Sequence, residues 1–286
     1  MTCRTRRLAM AVPTAAALVL SLGTAPASGH EDRTSSQRTG RDDQVSRSAG
    51  TAKATHRAPL PLLLPNLRSV RARDFSIEMR SGYRWLRFES ALGNTGRGPL
   101  ETRPDNREEC ARGQRHASQV IYRDVDGSGR YRRSVDTRKW IRSAGCMVFH
   151  PRHNHWHFDA ASRYSLLPPY DQTSVSRHRK TSFCLRDSRR LPVPWGAAKR
   201  YRAYYGSCDQ NNPQGITIGW ADVYQSFLPG QALRLPNRMP NGRYCVRVVV
   251  DPLDQLVESD DTDNSSVRAI RIRNRSVVPI EQRFCD

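Results

Sequence analysis

Apolar and polar side chains alternate with a period of two in several short stretches, and no stretch shows a long helical period. In Trp85–Leu92, for example, Leu86, Phe88 and Leu92 fall on one face of an extended strand. The pattern predicts a mainly β fold: a single β-sandwich-like domain with long loops and few short helices. The other predicted strands are Val120–Val125, Leu233–Leu235, Tyr244–Val250 and Val267–Ile272.

Turn-forming residues follow the strand predicted at Val120–Val125. Asp126–Gly129 is expected to close this strand, and the chain to return through Tyr131 as a hairpin. The Asp-Val-Asp-Gly-Ser-Gly run at 124–129 is weakly similar to a calcium loop. It lacks the bidentate glutamate of an EF-hand at the right distance, so the hairpin turn is the favoured interpretation.

Two further turns are predicted from glycine and asparagine. Gly93–Gly96 ends the first strand. Asn241–Gly242 is typical of a tight turn between Leu233–Leu235 and Tyr244–Val250.

The N-terminal part of the chain is expected to stay outside the folded domain. Residues 1–27 combine three arginines, an apolar run and an Ala-Pro-Ala site, which indicates a secretory signal peptide. Residues 28–58 are polar without apolar periodicity and are predicted to be a disordered tail. The folded domain is therefore expected at 59–286. We expect no transmembrane segment in the mature protein, which would be secreted and either extracellular or associated with the cell wall.

Cysteine content agrees with export. Removal of residues 1–27 leaves six cysteines, an even number that predicts three disulfides in an oxidising compartment. Sequence alone allows 15 pairings. The six are Cys110, Cys146, Cys184, Cys208, Cys245 and Cys285.

The formal net charge is +20, and loss of Arg4, Arg6 and Arg7 with the signal peptide leaves +17. A basic surface attracts anionic partners. The arginines are scattered without interleaved aromatic residues, which disfavours a nucleic-acid partner. An anionic cell-envelope surface is the better candidate.

The segment His153-Asn154-His155-Trp156-His157 is the strongest chemical signal. On an extended strand its three imidazoles would share one face at a spacing of about 6.5 Å. Such a face offers three nitrogen ligands with one side open, and imidazole suits zinc, copper, iron and nickel. His150 is a candidate fourth ring. The alternative is a surface histidine cluster without a ligand.

Four motifs in order are similar to the catalytic domain of the lysyl oxidase family, here of a secreted, bacterial type. That family carries H-x-H-x-H, K-A-S-F-C-L-E-D, Q-G-L-S-P-G-C-Y-D-T-Y and E-S-D-Y-T-N-N. The tract at 230–252 also follows the family pattern. The counterparts in this chain are HNHWH at 153–157, KTSFCLRD at 180–187, QGITIGWADVY at 214–224 and ESDDTDN at 258–264.

The resemblance implies a copper- and quinone-dependent amine oxidase, a protein-lysine 6-oxidase-like enzyme. Such an enzyme converts primary amines, of peptidyl lysine or of small molecules, with O2 to aldehyde, ammonia and hydrogen peroxide. His153, His155 and His157 fall on the copper ligands. Lys180 and Tyr224 fall on the residues that form the cofactor lysine tyrosylquinone.

The chemistry of these residues agrees with the implied roles, although simpler roles stay open. Oxidation of a phenol needs a redox metal and O2, so Tyr224 would have to lie near the open side of a copper ion. Lys180 can attack a ring only as a neutral amine, which burial favours. Alternatively, Lys180 is an exposed cation and Tyr224 a core residue with a bonded hydroxyl. Asp222 would share a face with Tyr224, as a catalytic base or as a group that orients the ring.

An acidic run near the C-terminus resembles the calcium site of the same family. Hard oxygen ligands at short spacing suit Ca²⁺. Asn66 stands where the family completes this site with an aspartate. A solvated turn is the alternative. The candidate ligands are Glu258, Asp260, Asp263 and Asn264.

Some positions depart from the family pattern. Arg163 stands where the family has a histidine, Arg186 replaces the acidic residue of its F-C-L-E-D motif, and several family cysteines are absent. Because the chain is strongly basic, we expect small amines, or amines in an acidic setting, to react better than polylysine.

Two other classes of function remain open at this point. One is a different three-histidine metal enzyme, such as a zinc hydrolase or a non-haem iron oxygenase, in which Lys180 and Tyr224 would have no role. The other is a non-catalytic copper-binding or cell-wall-binding module.

Overall fold

The computed structural model describes residues 59–176, 179–192 and 201–286, with the backbone alone at residues 179 and 180. The predicted signal peptide (1–27) and polar tail (28–58) lie outside the described residues. Within these ranges the chain forms fifteen β-strands and a 3-10 helix at Gln282–Phe284. The strands are β1 Leu62–Leu63, β2 Leu67–Arg80, β3 Tyr83–Asn94, β4 Leu100–Asp105, β5 Gln114–Arg123, β6 Lys139–His150, β7 His155–Leu167, β8 Arg179–Phe183, β9 Arg189–Arg190, β10 Gln214–Ile216, β11 Trp220–Tyr224, β12 Ala232–Arg234, β13 Gly242–Val250, β14 Ser265–Arg273 and β15 Ser276–Pro279.

The strands pair into two antiparallel sheets. The larger sheet has the order β10-β4-β5-β6-β7-β13-β14-β15, with β1 added on β5 and β8 added on β7. The smaller sheet has the order β12-β3-β11-β9, with β2 added on β3. The mainly β fold predicted from the alternating pattern is confirmed.

A shared apolar core joins the two sheets. Phe88 of β3 and Tyr164 of β7 are fully buried, and their rings meet edge to face with centroids 5.0 Å apart. The Tyr164 hydroxyl lies 2.7 Å from Ser90 Oγ, so its polar end is also satisfied inside the core. Truncation of Phe88 to alanine would cost about 3–5 kcal/mol of stability.

The hairpin between β6 and β7 determines where the histidines lie. His150, the last residue of β6, is the register partner of His155, the first residue of β7. The connecting turn occupies 151–154, and Asn154 adopts a left-handed φ of 56°. Asparagine tolerates this conformation better than most residues. The chain therefore reverses inside the histidine motif.

The hairpin predicted after Val120–Val125 is wrong in its return strand. β5 already ends at Arg123, and the next strand begins only at Lys139. Tyr131 lies in the intervening loop, where it is buried against Tyr122 with ring centroids 4.9 Å apart. Its ring packs in a small hydrophobic cluster beside the main core and does not belong to a strand.

The prediction at Asn241–Gly242 is also corrected. The two strands that flank this segment exist, but β12 pairs with β3 in the smaller sheet and β13 pairs with β7 and β14 in the larger sheet. The segment therefore connects the two layers and does not close a hairpin. A local turn signal does not specify the partner of the strand that follows it.

The three predicted disulfides are present. They join Cys110 to Cys146, Cys184 to Cys208, and Cys245 to Cys285. In the part of the chain that the structure describes, no helix has the length and apolar character needed to cross a membrane.

Candidate metal centre and adjoining cavity

Four histidines converge at the β6–β7 hairpin. His155 and His157 lie on β7 and share a face because they are two residues apart. His153 lies in the turn before β7, so the prediction of three histidines on one extended strand is wrong for this residue. The reversal at Asn154 brings His153 back over the same face, with ring centroids 5.4 Å from His155 and 5.6 Å from His157.

The imidazole nitrogens are spaced as ligands of one ion would be. One ring nitrogen from each of His153, His155 and His157 lies within 4.8 Å of the others. The Nε2 atoms of His155 and His157 are 3.0 Å apart. Two nitrogens that bind one ion at about 2.0–2.1 Å and at right angles would be about 2.9 Å apart. The three residues therefore fit a nitrogen-ligated transition metal.

His150 is the fourth ring of this cluster. It stacks on His153 with centroids 3.8 Å apart and lies 4.9 Å from the ring of His157. Its Nδ1 is buried and has no hydrogen-bond partner among the described residues. A ring nitrogen in this state is available to a bound ion or to an ordered water.

Burial keeps these imidazoles in the form that binds metals. Burial, followed by the neighbouring imidazoles, lowers the pKa of His157 to about 4. Burial also lowers the pKa of His155 and of His153, with smaller contributions from adjacent histidines and arginines. The three rings are accordingly neutral at pH 7, and neutral imidazole is the metal-ligating form.

The histidines line a cavity of about 480 Å³. Asp222 and Tyr224 of β11, in the other sheet, line the same cavity. The shared face predicted for these two residues is observed. Arg186, which follows β8, also lines the cavity and is exposed.

Tyr224 is held by β8 and by the residue that follows it. Its ring stacks on Phe183 with centroids 3.5 Å apart and an interplanar angle of 17°. Its hydroxyl donates to the backbone carbonyl oxygen of Cys184 at 2.8 Å. Burial, and then the nearby Asp222 carboxylate, raise the pKa of Tyr224 well above its ordinary value, so the phenol is neutral.

Asp222 is almost inaccessible to solvent, with 1% of its surface exposed. Its Oδ1 accepts a hydrogen bond from Ser188 Oγ at 3.0 Å, while Oδ2 makes no close hydrogen bond with a described residue. The Tyr224 hydroxyl and the Arg186 backbone lie near enough to stabilise the charged carboxylate. Burial raises the pKa of Asp222 to about 8. The carboxyl group therefore changes its charge close to neutral pH.

Lys180 lies on β8, and its backbone is the register partner of Arg163 on β7. Its side chain is outside the described part of the structure. Phe183, which stacks on Tyr224, is three residues further along the same strand. Lys180 and the Tyr224 contact are therefore carried by one short strand beside the histidine strand.

The acidic run near the C-terminus is brought together with the start of β2. Glu258 accepts hydrogen bonds from the Leu67 backbone at 2.5 Å and from Asn264 Nδ2 at 2.6 Å. Asn66 Nδ2 donates to Asp263 Oδ2 at 3.3 Å. Asp260 is exposed and bonds to the following Thr262, away from these contacts.

This second group has the character of a cation site. The Oδ1 atoms of Asn66, Asp263 and Asn264 are buried without a hydrogen-bond partner among the described residues. Burial raises the pKa of Glu258 to about 8, which indicates a carboxylate with too little positive charge around it. Arg68 lies 3.3 Å from Asp263 Oδ2 and supplies part of that charge. An all-oxygen set of this kind suits Ca²⁺.

The sequence prediction missed a third cluster. Asp124, Asp126 and Asp136 lie in the loop between β5 and β6, and one carboxylate oxygen of each lies within 4.8 Å of the others. The first two were visible in the Asp-Val-Asp-Gly-Ser-Gly run. Asp136 was not, because its approach depends on the course of the intervening loop.

Two antiparallel sheets, with a nitrogen-rich site at a hairpin and a phenol lining the same cavity, define a β protein with a centre suited to a transition metal. The family model described as Lysyl oxidase matches residues 124–281. This match spans more than half of the chain, and the protein belongs to the lysyl oxidase family. At the level of the family, this supports an oxidase-type enzyme that uses copper.

Individual relatives agree with this assignment. Lysyl oxidase homolog 3 of Homo sapiens is 34% identical over 119 residues, which cover 41% of this chain and 14% of the relative. Lysyl oxidase homolog 2 of Xenopus tropicalis is 30% identical over 177 residues, which cover 58% of this chain and 22% of the relative. The chain thus spans less than a quarter of the length of these relatives.

Proposed function

We propose that the protein is a copper- and quinone-dependent amine oxidase. It converts a primary amine, of peptidyl lysine or of a small molecule, to an aldehyde, and O2 and water are consumed as ammonia and hydrogen peroxide are released. The observation that carries this proposal is the cavity that three converging imidazoles and Tyr224 line together. Membership of the lysyl oxidase family supports copper-dependent amine oxidation in general terms.

His153, His155 and His157 hold the copper ion in this proposal. Their neutral imidazoles are suitable nitrogen ligands, and at a nitrogen site copper(II) is bound more tightly than the other divalent first-row metals. The cavity that these histidines line leaves room for O2 and the amine.

Together, copper and the lysine tyrosylquinone formed from Lys180 and Tyr224 supply the two-electron oxidation of the amine, with O2 as the final acceptor. The chain's own contribution is positional. Phe183 and the Cys184 carbonyl group fix the Tyr224 ring from one face and from its hydroxyl end. The backbone of β8 carries Lys180 three residues before Phe183.

Asp222 is the proposed base. It lines the cavity with Tyr224, and its Oδ2 makes no close hydrogen bond with a described residue. A buried carboxylate whose pKa is raised to about 8 is a strong base for a carboxyl group. It would accept the α-proton of the substrate at Oδ2, while Ser188 holds Oδ1.

Arg186 is proposed to select against additional positive charge on the substrate. Its guanidinium group lies at the cavity, where the resemblance to the family would place an acidic residue. A fixed cation there repels a polycationic peptide and tolerates a small amine, or a lysine flanked by acidic residues.

The acidic group around Glu258 is proposed to hold Ca²⁺ through Glu258, Asp263 and Asn264, with Asn66 as a neutral fourth ligand. Asp260, also predicted from the sequence, would contribute only through a water or by its charge, because it bonds to Thr262.

The three disulfides support a location outside the cytoplasm. The net positive charge supports contact with an anionic cell-envelope surface.

Mass spectrometry of the Lys180 and Tyr224 peptides tests the proposed function. Protein matured with copper under air is expected to contain these two peptides covalently joined and to be coloured by phenylhydrazine. Lys180→Arg and Tyr224→Phe are each expected to abolish both signals. Lys139→Arg and Tyr170→Phe, which alter exposed residues away from the cavity, are the matched controls and should keep them.

The same experiment separates the other classes of function. Unmodified Lys180 and Tyr224 peptides from copper-loaded, aerated protein would refute the quinone. Copper retained at one equivalent without the cross-link would then indicate a copper-binding module. Selective retention of zinc or iron by His153, His155 and His157 would indicate a different metal enzyme.

A further inference from the structure

The loop between β5 and β6 gathers three carboxylates that do not line the histidine cavity. One oxygen each of Asp124, Asp126 and Asp136 lies within 4.8 Å of the other two. Two of these residues are deeply buried: Asp136 is 0% exposed and Asp124 is 4% exposed. Asp126 is the exposed member.

The charge of this cluster is poorly balanced by protein groups. The Arg132 guanidinium contacts Asp126 on the outer side. No ion pair reaches Asp124 or Asp136 in the described part of the chain. Buried carboxylates at this distance repel one another, and each has lost its hydration. A bound cation would offset both costs.

One carboxylate oxygen is left free for such a cation. Asp136 accepts backbone hydrogen bonds from Val125 at 3.0 Å and from Arg132 at 2.6 Å. Asp124 Oδ2 accepts one from Gly129 at 2.8 Å. Asp124 Oδ1 is buried and has no hydrogen-bond partner among the described residues. A buried oxygen without a donor is rare unless an ion or a water satisfies it.

We propose that Asp124, Asp126 and Asp136 bind a calcium ion, at a site separate from the group around Glu258. The ligands are all hard oxygens, which favour Ca²⁺ or Mg²⁺ over copper or zinc. Three carboxylate oxygens within 4.8 Å of one another can all reach one Ca²⁺ ion at about 2.3–2.6 Å. We assign Ca²⁺ and not Mg²⁺ because Ca²⁺ accepts irregular sets of protein oxygens, whereas Mg²⁺ demands near-ideal octahedral geometry and keeps several waters.

The sequence did not favour a calcium loop because the third carboxylate lies well beyond the run at 124–129. Asp124, Asp126 and Ser128 have the alternating spacing of the first ligands of a calcium loop. The chain lacks a glutamate at the expected distance. Asp136, twelve residues after Asp124, reaches the same place from the far end of the loop and supplies the missing carboxylate.

The ion would fix a loop that stabilises the interior. Between the aspartates the loop carries Arg133, whose guanidinium group lies 3.3 Å from Glu101 Oε2 and donates to the Tyr205 hydroxyl at 2.8 Å. Glu101 is fully buried, and its closer cationic partner is Arg103 at 2.6 Å. Calcium binding at the loop would therefore hold the second of two counter-charges of a buried carboxylate in place.

Isothermal titration of the copper-loaded, calcium-depleted protein with Ca²⁺ tests the site. To remove the other candidate site, the titration is made in the Glu258→Gln variant, which is expected to retain one Ca²⁺ site. Adding Asp126→Asn should weaken that site about tenfold or more, because one anionic ligand is lost. Adding Asp136→Asn should abolish it. Adding Asp171→Asn, an exposed turn aspartate, is the matched control and should change nothing.

The outcomes are decisive even if the Asp136 variant fails to fold, because Asp126 is exposed and its variant is expected to fold. Unchanged Ca²⁺ affinity in the folded Asp126 variant would overturn the proposal. The absence of any Ca²⁺ binding in the Glu258→Gln background would overturn it as well. Equal affinity for Mg²⁺ would refute the assignment to calcium. None of these results depends on formation of the quinone.

Discussion

Tyr224 donates its hydroxyl hydrogen to the backbone carbonyl oxygen of Cys184, and Cys184 is disulfide-bonded to Cys208. The acceptor that orients the phenol is thus part of a cross-linked segment. Cys184 and Cys208 also line the cavity that Tyr224 shares with the histidines. The position of the proposed cofactor residue therefore depends on a covalent bond outside its own strand.

We expect loss of the Cys184–Cys208 disulfide to lower kcat more than loss of the Cys245–Cys285 disulfide does, although the two losses should destabilise the fold about equally. In Cys184→Ser/Cys208→Ser, kcat for amine oxidation should fall about tenfold or more per folded molecule, because the ring is less well oriented. Cys245→Ser/Cys285→Ser is the matched control. Each disulfide removal costs about 3–4 kcal/mol in the chain-entropy model. Hydrogen peroxide release and thermal unfolding measure the two effects. An equal loss of kcat in both variants would contradict the positional role.

The proposed base predicts a pH dependence. A base must be ionised, and the pKa of Asp222 is raised by burial to about 8, so kcat/KM should rise with pH and level off above about 8. Asp222→Asn should be slower by about a hundredfold and lose this inflection. Asp171→Asn is the control and should keep it. If Asp222→Asn retains the inflection, another group is the base.

The raised pKa of Asp222 should also make the folded state less stable as the pH rises, whereas it makes kcat/KM increase. Because the pKa of Asp222 is higher in the folded state than the ordinary value of 3.8, its contribution favours folding below about pH 4. That contribution is lost as the pH rises towards 8. Asp222→Asn should remove this pH dependence, and chemical denaturation of the metal-free protein between pH 4 and pH 9 measures it.

The charge at the cavity mouth should determine which amines react. Arg186→Glu reverses a charge beside the histidines and Asp222, and we expect about a tenfold gain in kcat/KM for polylysine or a diamine relative to a monoamine. Arg112→Glu makes the same change in net charge at an exposed position that does not line the cavity. The gain should shrink at high salt. An equal gain in both variants would indicate long-range steering alone.

Calcium binding at Glu258 should strengthen with pH. Burial raises the pKa of Glu258 to about 8, so a proton competes with Ca²⁺ below that value. We expect Ca²⁺ affinity at this site to rise by up to about tenfold per pH unit between pH 6 and pH 8. Calcium should accordingly raise the unfolding temperature more at pH 8 than at pH 6. Glu258→Gln should abolish the pH dependence. A pH-independent affinity in the unsubstituted protein would exclude Glu258 as a ligand.

Strands with strong alternation were predicted well from the sequence. Tyr244–Val250 is contained in β13, where Tyr244, Val246, Val248 and Val250 are all buried. Local turn chemistry was less informative. The segment at Asn241–Gly242 joins strands of different sheets, because strand partners are chosen by packing across the whole domain.

The site could be predicted as a set of residues but not as a shape. The spacing of His155 and His157 determines a shared face on any strand. The place of His153 depends on a left-handed residue, Asn154, that reverses the chain where the pattern predicted extension. The approach of Asp136 to Asp124 depends on a whole loop, and no periodicity carries that information.

The β6–β7 hairpin makes the candidate metal ligands neighbours in the chain, since His150 to His157 span only eight residues. Tyr224 comes from the other sheet, nearly seventy residues later. Binding of a metal ion by these residues would thus need only local structure and could come first. Placing the phenol beside them would need both sheets to be assembled. This order of assembly would keep the oxidisable ring away from the metal until the surrounding walls have closed.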